Sequence, residues 1–173
     1  SRRSQVRILS RSLKVHVLVK NKKLKKKILK FNLYTFFNLP SAWWSGVRVT
    51  SFDDNVAEVS VRHRWVNQNP FGSIFWAVQG MAAELSTAIF VMRAIKKTGF
   101  PVSMLVINNN ATFKKKARGL IKFNCNQGIE VTEVVQNAIS SGEAKKITLK
   151  SEGKDMSGDV VSAFEFEWTI KRK

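Results

Sequence analysis

The chain has 173 residues, 30 Lys+Arg against 12 Asp+Glu, a formal net charge of +18 and 44% hydrophobic residues. That length suits one core of ordinary size and leaves little room for a second. A single cysteine, Cys125, excludes an internal disulfide framework, and with only His16 and His63 beside it a His/Cys zinc site is set aside.

The charge is uneven. Residues 1–40 hold 12 bases and no acid, whereas residues 41–173 hold 18 bases and 12 acids, so the basicity belongs mostly to an N-terminal segment and says little about the folded part. Residues 1–21 are rich in Arg and Ser, and their apolar run at 15–19 is broken by His16. The long apolar stretch and small-residue cleavage site of a secretory signal are missing. A basic tail, disordered or artefactual, is the expectation for residues 1–21; a transit peptide and an arm for nucleic acid or acidic membrane are the alternatives. Residues 22–173 are expected to form a single domain. The expected location is cytoplasmic, or an organellar matrix if the tail is a transit peptide.

From Lys22 onward, Leu24, Ile28, Leu29, Phe31, Leu33, Phe36 and Phe37 recur at near-helical spacing up to Leu39-Pro40, which predicts an amphipathic helix that docks on something. Val47 and Val49 alternate with polar neighbours, Asp53-Asp54-Asn55 makes a turn, and Ala57, Val59, Val61 and His63 alternate again. That is a hairpin with one buried face, in which His63 reads as a satisfied core or edge histidine.

The most apolar stretch, 74–92, runs into Arg93, Lys96, Lys97 and the stop Gly99-Phe100-Pro101. A helix over 73–97 would be roughly 37 Å long, enough to cross a membrane. Glu84 near its centre is costly in lipid, and Gln79, Ser86, Arg93 and Lys97 share one stripe, so the expectation is a soluble central helix with no transmembrane segment. Strands are predicted near 104–114, 120–126, 146–151 and 160–170, with a short helix near 131–139. The order points to an α+β fold: an antiparallel sheet of about six strands wrapped round one long central helix, preceded by the amphipathic helix.

The sequence lacks a G-x-S-x-G elbow, a Walker A loop and a G-x-G-x-x-G fingerprint, which removes the commonest hydrolase, NTPase and dehydrogenase readings. Glu84 stands out because it lies ~140° round the helix from the polar stripe, with no cation at its i±3 and i±4 positions. Such a carboxylate is either structural or used as a base whose pKa is lifted by desolvation. Upstream, Asn67 to Ser73 supply amide side chains and a helix start whose free N–H groups could hold an oxyanion. Lys114, Lys115, Lys116 and Arg118 could contact phosphate or form a solvated loop. Trp43, Trp44, Phe75 and Trp76 could pack a core or line an acyl pocket. The interleaved aromatics of an RNA-recognition motif are missing, so nucleic acid is not expected outside the tail.

The stretch from Asn69-Pro70-Phe71-Gly72-Ser73 through Phe75-Trp76-Ala77 to Glu84, with Ala111 to Gly119 downstream, resembles the hot-dog superfamily. It looks like the phenylacetyl-CoA thioesterase-like proteins and is closest to a bacterial branch of unknown function. The resemblance covers about residues 22–173. It implies that Glu84 matches the catalytic carboxylate and Asn69 the residue that positions water or thioester, while the amides of Trp76 and Ala77 match the oxyanion donors. Phe75 would border the substrate, and Lys114, Lys115, Lys116 and Arg118 would meet CoA phosphates. Where the family carries His-Gly-Gly, this chain has Phe75-Trp76-Ala77 and therefore no imidazole.

The expected function is hydrolysis of an acyl thioester of CoA or acyl carrier protein, with no metal and no cofactor. The rivals are a non-catalytic acyl-CoA binding protein and a basic nucleic-acid or membrane-surface adaptor driven by residues 1–30. A homodimer or higher even oligomer is expected, because the long helix exposes more apolar surface than six short strands can cover.

Overall fold

Six stretches of alternating burial become strands: β1 (Arg48–Phe52), β2 (Ala57–Arg62), β3 (Val102–Phe113), β4 (Leu120–Cys125), β5 (Lys145–Lys154) and β6 (Val160–Arg172). In the computed structural model, which describes residues 22–173, they pair antiparallel in one sheet of order β1-β2-β4-β5-β6-β3. The readings for residues 1–21 fall outside the described residues. Helix α1 covers residues 22–38, α2 is Pro40–Trp44, α3 is Trp76–Thr98 and α4 is Gly128–Ser141. This is the hot-dog arrangement that the resemblance implied.

The core is the inner face of the sheet against α3. Val59, Val61, Ile121, Phe123, Leu149, Phe164, Phe166 and Trp168 meet Ala82, Ala83, Ile89, Phe90 and Val91, all buried. Alanines on the contact side of α3 let helix and sheet approach closely. Helix α3 is long and apolar enough to cross a membrane by length and composition, but most of it is buried inside the fold.

The polar stripe of α3 turns inward, to the sheet. Gln79 donates from Nε2 to the Ile74 carbonyl (3.0 Å) and accepts at Oε1 from Ser162 of β6 (2.9 Å). Two turns further on, Ser86 gives its proton to the Ala83 carbonyl and lies 2.8 Å from the Ser151 hydroxyl of β5. Thr87 accepts from the Trp168 indole N–H (3.2 Å) and donates to the Glu84 carbonyl (2.8 Å). At the far end Arg93 and Lys97 pair with Asp54 of the β1–β2 turn at 2.9 and 3.3 Å. The stripe is therefore a row of sheet contacts, and the opposite side of the helix faces outward.

Helix α1 docks as expected, and the means is specific. Asn32 donates from Nδ2 to the Val49 carbonyl and accepts the Val49 N–H, both at 2.9 Å, so its side chain pairs with edge strand β1 as another strand would. Phe31 packs on Phe52 at 5.9 Å between ring centroids.

Two expectations change. Helix α3 begins at Trp76 and not at residue 73, because Gln68 and Ile74 form an antiparallel bridge that holds the preceding residues in a hairpin. His63 is not satisfied. It lies just past β2, where the Gly119 carbonyl takes its backbone N–H (2.7 Å) and, among the described residues, nothing reaches its buried Nε2.

Replacing Gln79 with Leu leaves the Ser162 hydroxyl and the Ile74 carbonyl without that amide. The variant should lose about 2–3 kcal/mol, since each stranded buried polar group costs about 1–3 kcal/mol. Its melting temperature should fall by roughly 5–10 °C, and adding Ser162→Ala should recover part of the loss, which a thermal melt would read.

Candidate functional site

Because the sheet holds Gln79, Ser86 and Thr87, the face of α3 carrying Met81, Glu84, Leu85, Ala88 and Met92 is left to line a cleft of about 590 Å³. Its other walls come from the end of α1 and from α2 (Tyr34, Asn38, Leu39, Pro40), from edge strand β3 (Met104, Leu105, Val106) and from Trp168. Glu84 is the only acidic side chain among them. Among the described residues its carboxylate has no hydrogen-bond donor and no cation within pairing distance, and its side chain reaches solvent through the cleft mouth. Glu84 is exposed by surface area at the cleft mouth, and partial burial of its carboxyl among the cleft walls raises it above the ordinary carboxylate value. A carboxylate in such a setting is a stronger base than a solvated one and can take a proton from water.

A second cleft, of about 320 Å³, lies at the start of α3 and is lined by Asn69, Phe71, Ser73, Trp76, Gln79, Phe113 and the loop Lys114 to Ala117. Asn69 organises this loop. Its Oδ1 accepts from the N–H groups of Phe71 (3.0 Å) and Ser73 (3.2 Å) and from the Ser73 hydroxyl (3.2 Å). Gly72, at φ +69°, closes the turn in the left-handed region that glycine tolerates. The Ile74 N–H then bonds the Ala117 carbonyl and the Phe75 N–H the Asn67 carbonyl. The next two amides, Trp76 and Ala77, have no acceptor among the described residues, as expected for the first turn of a helix. Phe75 and Trp76 are exposed and meet edge to face at 5.7 Å.

The basic cluster divides by partner. Lys115 is held between Asp155 (2.6 Å) and Asp159 (2.7 Å), which raises its own pKa. Arg118 donates to the Gly72 carbonyl at 3.0 Å and Lys116 reaches the Phe71 carbonyl at 3.5 Å, so both brace the loop before α3. Lys114 is exposed beside them. Cys125 is buried, its thiol pushed up to about 11 by desolvation, and is no nucleophile at neutral pH. Among the described residues no three His, Cys, Asp or Glu side chains gather within ligating reach.

One chain thus keeps the sequence candidates apart. Asn69, Trp76, Lys114, Lys115 and Lys116 line the second cleft, Phe75, Ala77 and Arg118 are not part of its lining, and Glu84 stands in the first. Eight residues of helix, about 12 Å, separate Glu84 from Trp76. Sequence reasoning missed the walls around Glu84. Tyr34, Leu39 and Trp168 come from distant parts of the chain, and only the helix break at Leu39-Pro40 hints that the chain turns back there.

Residues 30–170 match the profile of a family described as a domain of unknown function, DUF4442. No curated protein matches the chain. Among solved structures, a protein of unknown function from Chlorobaculum tepidum superposes with a TM-score of 0.72 at 14% identity, over 86% of this chain and 96% of that one. A thioesterase from Haemophilus influenzae superposes with a TM-score of 0.58 at 10% identity, over 76% of this chain and 82% of that one. The thioesterase from Staphylococcus aureus gives 0.56 at 14% identity, over 72% and 93%. Identities of this size carry the fold and not the chemistry.

Two variants separate roles in this region. Asn69→Asp keeps the accepting oxygen and should hold the melting temperature, whereas Asn69→Ala should lose about 1–2 kcal/mol through the loosened turn. For Glu84 the folded state favours the protonated form, so its contribution to stability is present below the unfolded carboxyl pKa and is lost as pH rises through the raised folded value. Glu84→Gln should therefore match wild type in acid and melt at or above it at neutral pH, as melts across pH would show.

Proposed function

The chain belongs to the DUF4442 domain family, whose profile spans most of its length, and we propose that it hydrolyses acyl thioesters of CoA or acyl carrier protein, with Glu84 as the base. The observation that carries this is an unpaired carboxylate of raised pKa in a largely apolar cleft large enough for an acyl chain. Solved structures of the same fold named as thioesterases support the reaction class.

In the reaction, Glu84 takes a proton from a water whose oxygen bonds to the thioester carbon. The C–S bond then breaks, and the proton ends on the departing thiol. The negative charge that builds on the carbonyl oxygen needs fixed donors, and the free N–H groups of Trp76 and Ala77 are of the right kind. They are about 12 Å from Glu84 along the same helix, so a single copy does not bring both to one carbonyl.

A second copy resolves this. Strand β3 is an edge, bonded only to β6, and it exposes Leu105, Ile107 and Phe113. Its Met104–Val106 end lines the Glu84 cleft and its Phe113 end lines the cleft at the start of α3. If two β3 strands pair antiparallel about a two-fold axis, the Phe113 end of one lies beside the Leu105 end of the other. Each Glu84 cleft then abuts the partner's helix start, and the free sheet edge is covered. The exposed Lys114 at that end would meet the phosphates of a CoA carrier in this reading.

A panel of short, long and aromatic acyl-CoA thioesters, read by released thiol, tests the reaction. Wild type should turn over at least one class, and Glu84→Gln should be slower by at least ~100-fold without loss of fold. Tight acyl-CoA binding with no turnover would replace hydrolysis by the binding-protein reading. Sedimentation should give a dimer, and Leu105→Arg with Ile107→Arg should yield a folded monomer that has lost turnover.

A further inference from the structure

Helix α1 is apolar on two faces. Leu24, Ile28, Phe31 and Thr35 turn toward the body of the protein. On the opposite side, Lys22, Lys26, Leu29, Leu33 and Phe37 follow one another at spacings of three or four residues and form a second stripe. Leu29, Leu33 and Phe37 keep 69%, 55% and 71% of their surface open, and Trp44 of α2 keeps 70%. No element of the described chain covers this stripe; Phe36 meets Phe37 and Trp43 edge to face, and the Arg48 guanidinium lies over the Trp43 ring.

Charge selects what the stripe fits. Between residues 22 and 52 there are six lysines, at 22, 23, 25, 26, 27 and 30, together with Arg48, and not one acid. Two copies of such a face repel each other, so it is ill suited to self-association. Nucleic acid would use the lysines but give Leu29, Leu33 and Phe37 nothing apolar to enter. A surface with negative groups outside and hydrocarbon just beneath satisfies both halves of the helix: lysines at the headgroups, leucines and phenylalanines at the acyl boundary.

We infer that the outer face of α1, led by Leu29, Leu33 and Phe37, docks the protein on an anionic lipid bilayer. Helix α1 lies in the plane of the interface, without crossing it. It stays fixed to the protein by the Asn32 pairing with Val49 and by Phe31 on Phe52, so docking needs no unfolding of the core.

The test uses the full chain and sedimentation with vesicles of phosphatidylcholine alone or mixed with phosphatidylserine. Wild type should partition onto the mixed vesicles and weakly onto the neutral ones. Salt should weaken the binding without abolishing it, because the apolar contribution is not screened. The variant Leu29→Ser/Leu33→Ser/Phe37→Ser keeps every charge, including those of residues 1–21, and alters only solvent-facing side chains. Its melting temperature should hold, while its partition onto mixed vesicles should fall by at least ~100-fold. Undiminished binding would mean that charge alone attracts the vesicle and would overturn the proposal. A variant that sediments as a smaller species than wild type without lipid would assign the face to a second copy and overturn it equally. Phe37→Trp gives a reading that needs no loss of stability. Lipid brominated in its acyl chains should quench the added indole on mixed vesicles, and an unquenched indole would overturn the proposal.

Discussion

The rotation of α3 about its own axis decides where the chemistry can be. Gln79, Ser86 and Thr87 are each satisfied by a side chain of β5 or β6, and a turn of the helix by even one residue position would strand all three in a dry interface. Stranded polar groups cost about 1–3 kcal/mol each, so together they fix one angle. At that angle Glu84 faces the cleft, and the Trp168–Thr87 bond, continued to the Glu84 carbonyl, ties its backbone directly to β6. Nothing comparable holds the carboxylate itself. The backbone of the residue is held while its carboxylate has no ion-pair partner among the described residues, and perturbed carboxylates of this kind cluster at functional sites.

The sheet was legible in the sequence because alternation along a half-buried strand survives as pattern. Val59 and Val61, then Ile121 and Phe123, carry that period of two in plain view. The faces of α3 were harder. A polar stripe on a mostly apolar helix reads as the solvated side, but Gln79 and Ser86 are buried, and their partners, Ser162 and Ser151, lie more than sixty residues away. Single-chain spacing says that Glu84 and the stripe lie on different sides. It does not say which side meets the sheet. The same limit applies to Asn69, for which the resemblance implied a role in positioning water or thioester; its oxygen accepts from three donors of its own loop, which spacing alone does not show.

The two clefts have a common cause in edge strand β3. It is one of the longest strands, it bonds on one side only, and each end contributes to a different cleft. The β1 edge is treated differently, since Asn32 supplies one donor and one acceptor to Val49 and α1 shields the strand. One edge is blunted by a side chain from within the chain and the other is left open, so any sheet-to-sheet joining is directed to β3.

Where the family resemblance would put His-Gly-Gly, Phe75-Trp76-Ala77 leaves no imidazole at the start of α3. Histidine at a helix start can donate a hydrogen bond or shuttle a proton, and neither role is available here. Backbone donors do not depend on the side chain, and the N–H groups of Trp76 and Ala77 remain free whatever stands on their Cα atoms. The bulk of Phe75 and Trp76 does not enter the core. Both rings are exposed and lean on each other, and Trp76 lines the second cleft. They add an apolar rim where glycines would leave an open floor. The two rings therefore border the approach to these N–H groups and leave the groups themselves in place.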